Sequence, residues 1–106
     1  MGIKIFAETF SQGFFASTNL LSLRGKYQKT PAESRFSIVV PTGVTKNKPT
    51  RNLLKRRGYT IIRKLLPGLK SKLWAIIFLK KDAKNLTFSD LEAGFIELFQ
   101  KVKIFK

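Results

Sequence analysis

The sequence predicts one mixed α/β domain, a two-layer sandwich of helices on a β-sheet. Two observations carry this prediction. Helical and strand-like hydrophobic periodicities follow one another in the order α-β-β-α-β-α, with room for an extra short strand. The chain has 106 residues, of which 43% are hydrophobic, which suits one two-layer core rather than two domains. We therefore expect residues 1–106 to form a single domain.

The first predicted element is a short helix over residues 3–12. It places Phe6 and Phe10 four positions apart on one helical face, and Gly13 follows as a stop signal. Such a pair ordinarily packs in a core. Aromatic rings beside basic side chains are also surfaces on which single-stranded RNA stacks, so both roles stay open.

Two strand-like runs follow the first helix. Residues 14–27 have a strand pattern of ambiguous register, because "LLSLR" at 20–24 mixes alternation with an apolar pair. The segment "FSIVVP" at 36–41 is short and β-branched, which is typical of a buried strand. We expect the two runs to pair as an antiparallel hairpin.

The segment "TRNLLKRRGYTIIRK" at 50–64 predicts an amphipathic helix. Thr50 is a good N-cap directly after a proline, and a Pro-Gly pair at 67–68 ends the pattern. Gly58 lies in the apolar stripe, where glycine costs about 1 kcal/mol relative to alanine, so we expect close approach to the sheet there. At 100° per residue the stripe consists of Leu54, Gly58, Ile61, Ile62 and Leu65.

The last third of the chain predicts a strand, a turn and a helix. The segment "KLWAIIFLKK" at 72–81 is nearly all apolar, as expected of a central strand. After a turn at 82–85, a helix begins near Thr87, and Asp90 imitates a capping box. The buried stripe of this helix is predicted to contain Leu91, Gly94, Phe95, Leu98 and Val102.

Composition excludes several classes of function. The chain has no cysteine and no histidine, which excludes disulfides, thiolate zinc sites and histidine-based catalysis. Its six acidic residues form no paired-carboxylate pattern, and no glycine-rich phosphate loop is present. The apolar run at 73–79 is too short to span a bilayer, and the first residues do not resemble a secretory signal. We expect neither a catalytic nor a metal site in this chain.

Charge points instead to a polyanionic partner. Lys and Arg number 21 against six acids, a formal charge of +15, and residues 34–81 contain no acid at all. A solvated helix face usually alternates in sign, so we favour nucleic-acid binding, with a membrane-surface helix as the competitor. The predicted nucleic-acid contacts are Lys46, Lys48, Arg51, Lys55, Arg56, Arg57, Arg63 and Lys64.

These residues also resemble a known family, the protein subunits of bacterial ribonuclease P. The family signature is an Arg-Asn pair followed by further basic residues on one helix. Arg51, Asn52, Lys55 and Arg56 match it, and Phe6, Phe10 and Gly13 match the family's Phe-x-x-x-Phe-x-x-Gly start. The chain departs from the signature at Leu53 and Tyr59, where the family has arginine.

The resemblance implies a fold and a role. The fold is similar to that of ribosomal protein S5 domain 2, with a left-handed βαβ crossover. The role is to bind the catalytic ribonuclease P RNA and the 5′ leader of precursor tRNA in the cytoplasm, without a further protein partner or a membrane. Cleavage and Mg²⁺ binding belong to the RNA subunit and its interface.

The resemblance also assigns site residues. Asn52 joins the RNA-contacting set, and a leader-binding cleft is implied at Phe6, Phe10 and Arg24. The alternative from the residues alone is a structural RNA-binding protein, such as a small ribosomal protein.

Overall fold

The computed structural model describes residues 13–28, 33–70 and 72–105. The helix predicted over residues 3–12 lies outside these ranges. The strands are β1 (Phe14–Ser17), β2 (Leu21–Tyr27), β3 (Arg35–Val39) and β4 (Leu73–Leu79), and the helices are α1 (Lys48–Leu65) and α2 (Phe88–Lys101). Short 3₁₀ turns at Leu66–Gly68 and Lys81–Ala83 follow α1 and β4.

The four strands form one sheet in the order β1-β2-β4-β3. β1 and β2 form an antiparallel hairpin, β2 is antiparallel to β4, and β3 is parallel to β4. The predicted hairpin between the runs at 14–27 and 36–41 is therefore wrong. β4 lies between them, because its nearly continuous apolar sequence suits a central strand and because the α1 crossover makes β3 and β4 parallel.

Both helices cover one face of this sheet. Register pairs Leu23 with Ile77 and Ile38 with Ile77, so all three side chains point toward the helices. A Cβ on Gly58 would overlap the terminal methyl group of Ile38, which confirms the predicted close approach of α1. The core contains Leu21, Leu23, Ile38, Leu54, Ile61, Ile77, Leu79, Leu91, Phe95, Leu98 and Phe99.

The N-termini of the two helices are capped by different means. In α1, the Asn47 side chain accepts a hydrogen bond from the Thr50 N–H at 3.0 Å, so the predicted N-cap at Thr50 is wrong by three residues. Proline is tolerated in a first helical turn, because its missing N–H would have no partner there, and α1 can begin before Pro49. In α2, Thr87 accepts from the Asp90 N–H at 3.2 Å, as predicted.

Candidate RNA interface

α1 exposes two flanks, one on each side of its buried stripe. The β3 flank lies beside the edge of β3, and the α2 flank lies beside α2. At 100° per residue the β3 flank consists of Lys48, Asn52, Lys55, Arg56, Tyr59 and Arg63, and the α2 flank of Leu53, Arg57, Thr60 and Lys64.

The β3 flank is joined to the outer edge of the sheet. Tyr59 Oη accepts a hydrogen bond from the Ile38 N–H at 3.1 Å. Arg51 Nε, next to this flank, donates to the Val40 carbonyl at 3.3 Å. These two backbone groups point away from β4, so the helix side chains fill hydrogen-bonding positions along an edge strand. The bond to Val40 uses one of the five N–H groups of the Arg51 guanidinium, so the remaining N–H groups can still donate to a phosphate.

The α2 flank makes its contacts within the fold. Arg57 Nη1 donates to the Leu86 carbonyl at 3.4 Å, just before α2. Lys64 Nζ lies 2.9 Å from Glu92 Oε2 on α2, and this is the one ion pair within the described residues. The structure therefore separates Arg57 and Lys64 from the other predicted RNA-contacting side chains of the helix.

The N-terminal end of α1 adds a second positive feature. Lys46 and Lys48 are exposed on either side of the Asn47 cap, and the first turn contains no acid. The unpaired N–H groups of a helix N-terminus favour anions, and flanking lysines strengthen that preference. This end and the β3 flank together form a continuous basic surface.

Arg24, predicted in the leader-binding cleft, lies away from the basic surface of α1. It is on the sheet face opposite the helices, where its guanidinium carbon is 5.1 Å from the centroid of the Phe15 ring. Phe15 is 58% exposed, so the pair offers a cation-bearing aromatic surface to solvent. The other two predicted cleft residues, Phe6 and Phe10, lie outside the described residues.

Sequence reasoning missed an open cavity at the C-terminal end of the β3 flank. Its volume is about 330 Å³. The sequence identifies only Arg63 as a contact, because the other lining residues have no charge and come from two separate segments. The lining residues are Ser34, Phe36, Tyr59, Ile62, Arg63 and Leu66.

Residues 13–28, 33–70 and 72–105 provide neither a metal site nor a membrane span. Within these ranges no group of three acidic side chains is placed to hold a metal ion. Neither helix found there has the length and apolar character that crossing a bilayer requires. The basic surface is thus the main chemical feature of the described part of the chain.

Comparison with known proteins places this chain in a family. A family model described as Ribonuclease P matches residues 3–103. The "Ribonuclease P protein component" of Onion yellows phytoplasma is 38% identical over 79 residues, which is 74% of this chain and 56% of that protein. The chain thus spans little more than half of that relative. The component of Microcystis aeruginosa is 31% identical over 85 residues, 80% of this chain and 71% of that protein.

Solved structures show the same fold. The RNase P protein of Staphylococcus aureus superposes with a TM-score of 0.90 at 16% identity, covering 100% of this chain and 95% of that one. The RNase P protein of Thermotoga maritima gives 0.80 at 19% identity, covering 91% and 89%. This likeness confirms the predicted mixed α/β fold class.

Proposed function

The chain belongs to the ribonuclease P family, and on this premise we propose that it is the protein component of a ribonuclease P. In this role it binds the ribonuclease P RNA and assists removal of the 5′ leader from precursor tRNA in the cytoplasm. The observation that carries the proposal is the basic β3 flank, held against the sheet edge next to a helix N-terminus. The family match does not favour a structural ribosomal protein.

The β3 flank is suited to a phosphate backbone. Arginine forks match phosphate oxygens in bidentate geometry, and lysines supply compact positive charge. Each neutralised phosphate releases counterions, so affinity for RNA falls steeply as salt rises. Arg57 and Lys64 are expected to contribute less, because they already contact Leu86 and Glu92. The main proposed contacts are Lys46, Lys48, Arg51, Asn52, Lys55, Arg56 and Arg63.

The second RNA strand, the 5′ leader, is assigned to the other face of the sheet. The Arg24–Phe15 pair supports this assignment, because it presents an aromatic ring and a cation together. Single-stranded RNA binds such surfaces by stacking and by phosphate contact. The family resemblance adds Phe6 and Phe10 to the proposed leader contacts.

Bond cleavage is assigned to the RNA subunit, with Mg²⁺ at the RNA and its interface. The chain's own contribution is electrostatic. A formal charge of +15 lowers phosphate repulsion in the assembled particle, so the RNA needs less Mg²⁺ to fold and react.

Reconstitution tests this function directly. A bacterial ribonuclease P RNA is assayed for precursor-tRNA cleavage over a Mg²⁺ titration, with and without the chain. We expect the chain to shift the Mg²⁺ requirement to lower concentration and to cleave nothing when the RNA is omitted. Identical titrations with and without the chain would contradict the proposal.

A further inference from the structure

We propose that the cavity at the end of the β3 flank binds one nucleobase of an RNA strand whose phosphates follow that flank. This base pocket is the cavity lined by Ser34, Phe36, Tyr59, Ile62, Arg63 and Leu66. The inference rests on the RNA-binding function proposed above and adds to it a site for a base rather than a phosphate.

The walls of the base pocket suit a flat aromatic ligand. Ile62 is buried at its inner wall, Phe36 is half-buried, and Leu66 is 40% exposed at the rim. The Tyr59 ring is 38% exposed and completes an aromatic and aliphatic lining. A volume of about 330 Å³ is at the small end of the range for ligand pockets, so the site fits a single nucleotide unit rather than a folded segment.

The pocket also has polar groups for the edge of a base. Tyr59 Oη accepts from the Ile38 N–H, so its own proton remains to be donated. Phe36 is two residues before Ile38, and alternate residues of a strand direct their backbone groups to the same side. The backbone N–H and C=O of Phe36 therefore point outward from the edge of the sheet, toward the pocket. They provide a hydrogen-bond donor next to an acceptor.

Charge decides which ligand is expected. Arg63 is at the pocket, and the β3 flank continues toward the helix N-terminus at spacings of three or four residues through Tyr59, Arg56, Asn52 and Lys48. An apolar peptide in the pocket would leave the cations of this row without a partner. A nucleotide strand satisfies both parts, because its base is aromatic and its phosphates are anionic.

The site differs from the family signature at Tyr59, because the signature has arginine at this position. An arginine at this position supplies a further cation along the row. The tyrosine ring instead gives a stacking surface and holds the Ile38 N–H of the sheet edge. Tyr59 thus supplies an aromatic wall of the base pocket.

Two short RNA probes of equal length and charge test the proposal: oligouridine and an abasic ribose-phosphate oligomer. At fixed moderate salt we expect the wild-type chain to bind oligouridine about tenfold more tightly, within the range of base–aromatic stacking. Tyr59→Phe and Tyr59→Leu form a matched pair, because both lose the hydroxyl bond to Ile38 and only the second loses the ring. We expect Tyr59→Phe to keep the preference for bases and Tyr59→Leu to lose it.

A second matched pair covers the case in which Tyr59→Leu fails to fold. Leu66→Ala trims the pocket rim, and Leu53→Ala trims an equally exposed leucine on the α2 flank; both side chains are 40% exposed. We expect only Leu66→Ala to reduce the preference for oligouridine over the abasic oligomer.

Three results would overturn the base pocket. These are equal wild-type affinity for the two probes, a preference that Tyr59→Leu retains, and equal effects of Leu66→Ala and Leu53→Ala. The assay contains no ribonuclease P RNA, so its outcome is separate from that of the reconstitution. If the chain prefers bases but has no effect on cleavage in the reconstitution, the base pocket is supported and the proposed function is contradicted.

Discussion

The two flanks of α1 carry similar basic side chains but have different neighbours. On the α2 flank, Arg57 reaches the Leu86 carbonyl and Lys64 reaches the carboxylate of Glu92. On the β3 flank the neighbour is a strand edge, which offers neutral backbone groups. Those groups are met by Tyr59 and by one N–H of Arg51. Within the described residues no carboxylate pairs with a cation of this flank, whereas Glu92 pairs with Lys64 on the α2 flank.

The comparison teaches that counting basic residues on a helix does not define its binding surface. A cation that is already paired must break that contact before it can bind a phosphate. A cation beside a neutral strand edge has no such cost. The neighbours of each flank, set by strand order, therefore decide which part of one helix is prepared for RNA.

The largest expected effect is on RNA binding, and it comes from removing one lysine and one arginine from the β3 flank. Lys55→Ala with Arg56→Ala on the β3 flank should weaken binding to ribonuclease P RNA by roughly 100-fold, because two charged hydrogen bonds of about 1.5 kcal/mol each are lost. The slope of log K against log salt should fall by about 2. Binding measured over a salt series checks both quantities.

The control is Arg57→Ala with Lys64→Ala, which removes the same charges from the α2 flank. We expect this pair to weaken RNA binding by less than about tenfold, since both side chains have partners within the fold. Equal losses for the two double variants would show that net charge alone, and not the flank, controls binding.

The buried stripe of α1, which lies between the two flanks, gives the next largest effect. This effect is on stability. Alanine at Gly58 should gain about 1 kcal/mol of helix propensity, but its Cβ meets the terminal methyl of Ile38. In an Ile38→Val background that methyl is gone, and the gain should appear. We expect a coupling of about 1 kcal/mol between the two substitutions in a denaturant-unfolding cycle. The same effect of Gly58→Ala in both backgrounds would mean that Ile38 simply moves aside.

Much of the fold follows from the sequence, and the exceptions have local causes. The central position of β4 and the capped start of α2 were predicted from apolar content and from Thr87. The break between β1 and β2 was not located, because it contains neither glycine nor proline. It is instead a turn in which Thr18 Oγ1 accepts from the N–H groups of Leu20 and Leu21 at 3.3 and 3.2 Å.

The candidate site was predictable in kind but not in arrangement. Helical spacing identified a basic face, yet it contains no information on which strand lies beside it. The base pocket and the role of Tyr59 depend on β3 being an edge strand, and the pairing of the strands is a tertiary property. The partner of Tyr59, the Ile38 N–H, follows only from that order.

The hydroxyl of Tyr59 gives a smaller effect on the β3 flank. Tyr59→Phe should lower the free energy of unfolding by about 1 kcal/mol, because the Ile38 N–H loses its acceptor. Hydrogen exchange at the Ile38 amide should become faster at the same time. Tyr27→Phe, at a similarly exposed tyrosine, is the control and should leave this amide unchanged. Unchanged exchange in Tyr59→Phe would show that water replaces the hydroxyl without cost.

The ion pair of the α2 flank gives the smallest effect. A double-mutant cycle with Lys64→Ala and Glu92→Ala should yield about 0.5 kcal/mol and vanish at high salt, because the Lys64 side chain is 64% exposed. A coupling above about 1.5 kcal/mol would show that this ion pair makes a major contribution to the packing of α1 against α2. A coupling of zero at low salt would add Lys64 to the cations that are open to RNA, and the difference in charge pairing between the two flanks would then be lost.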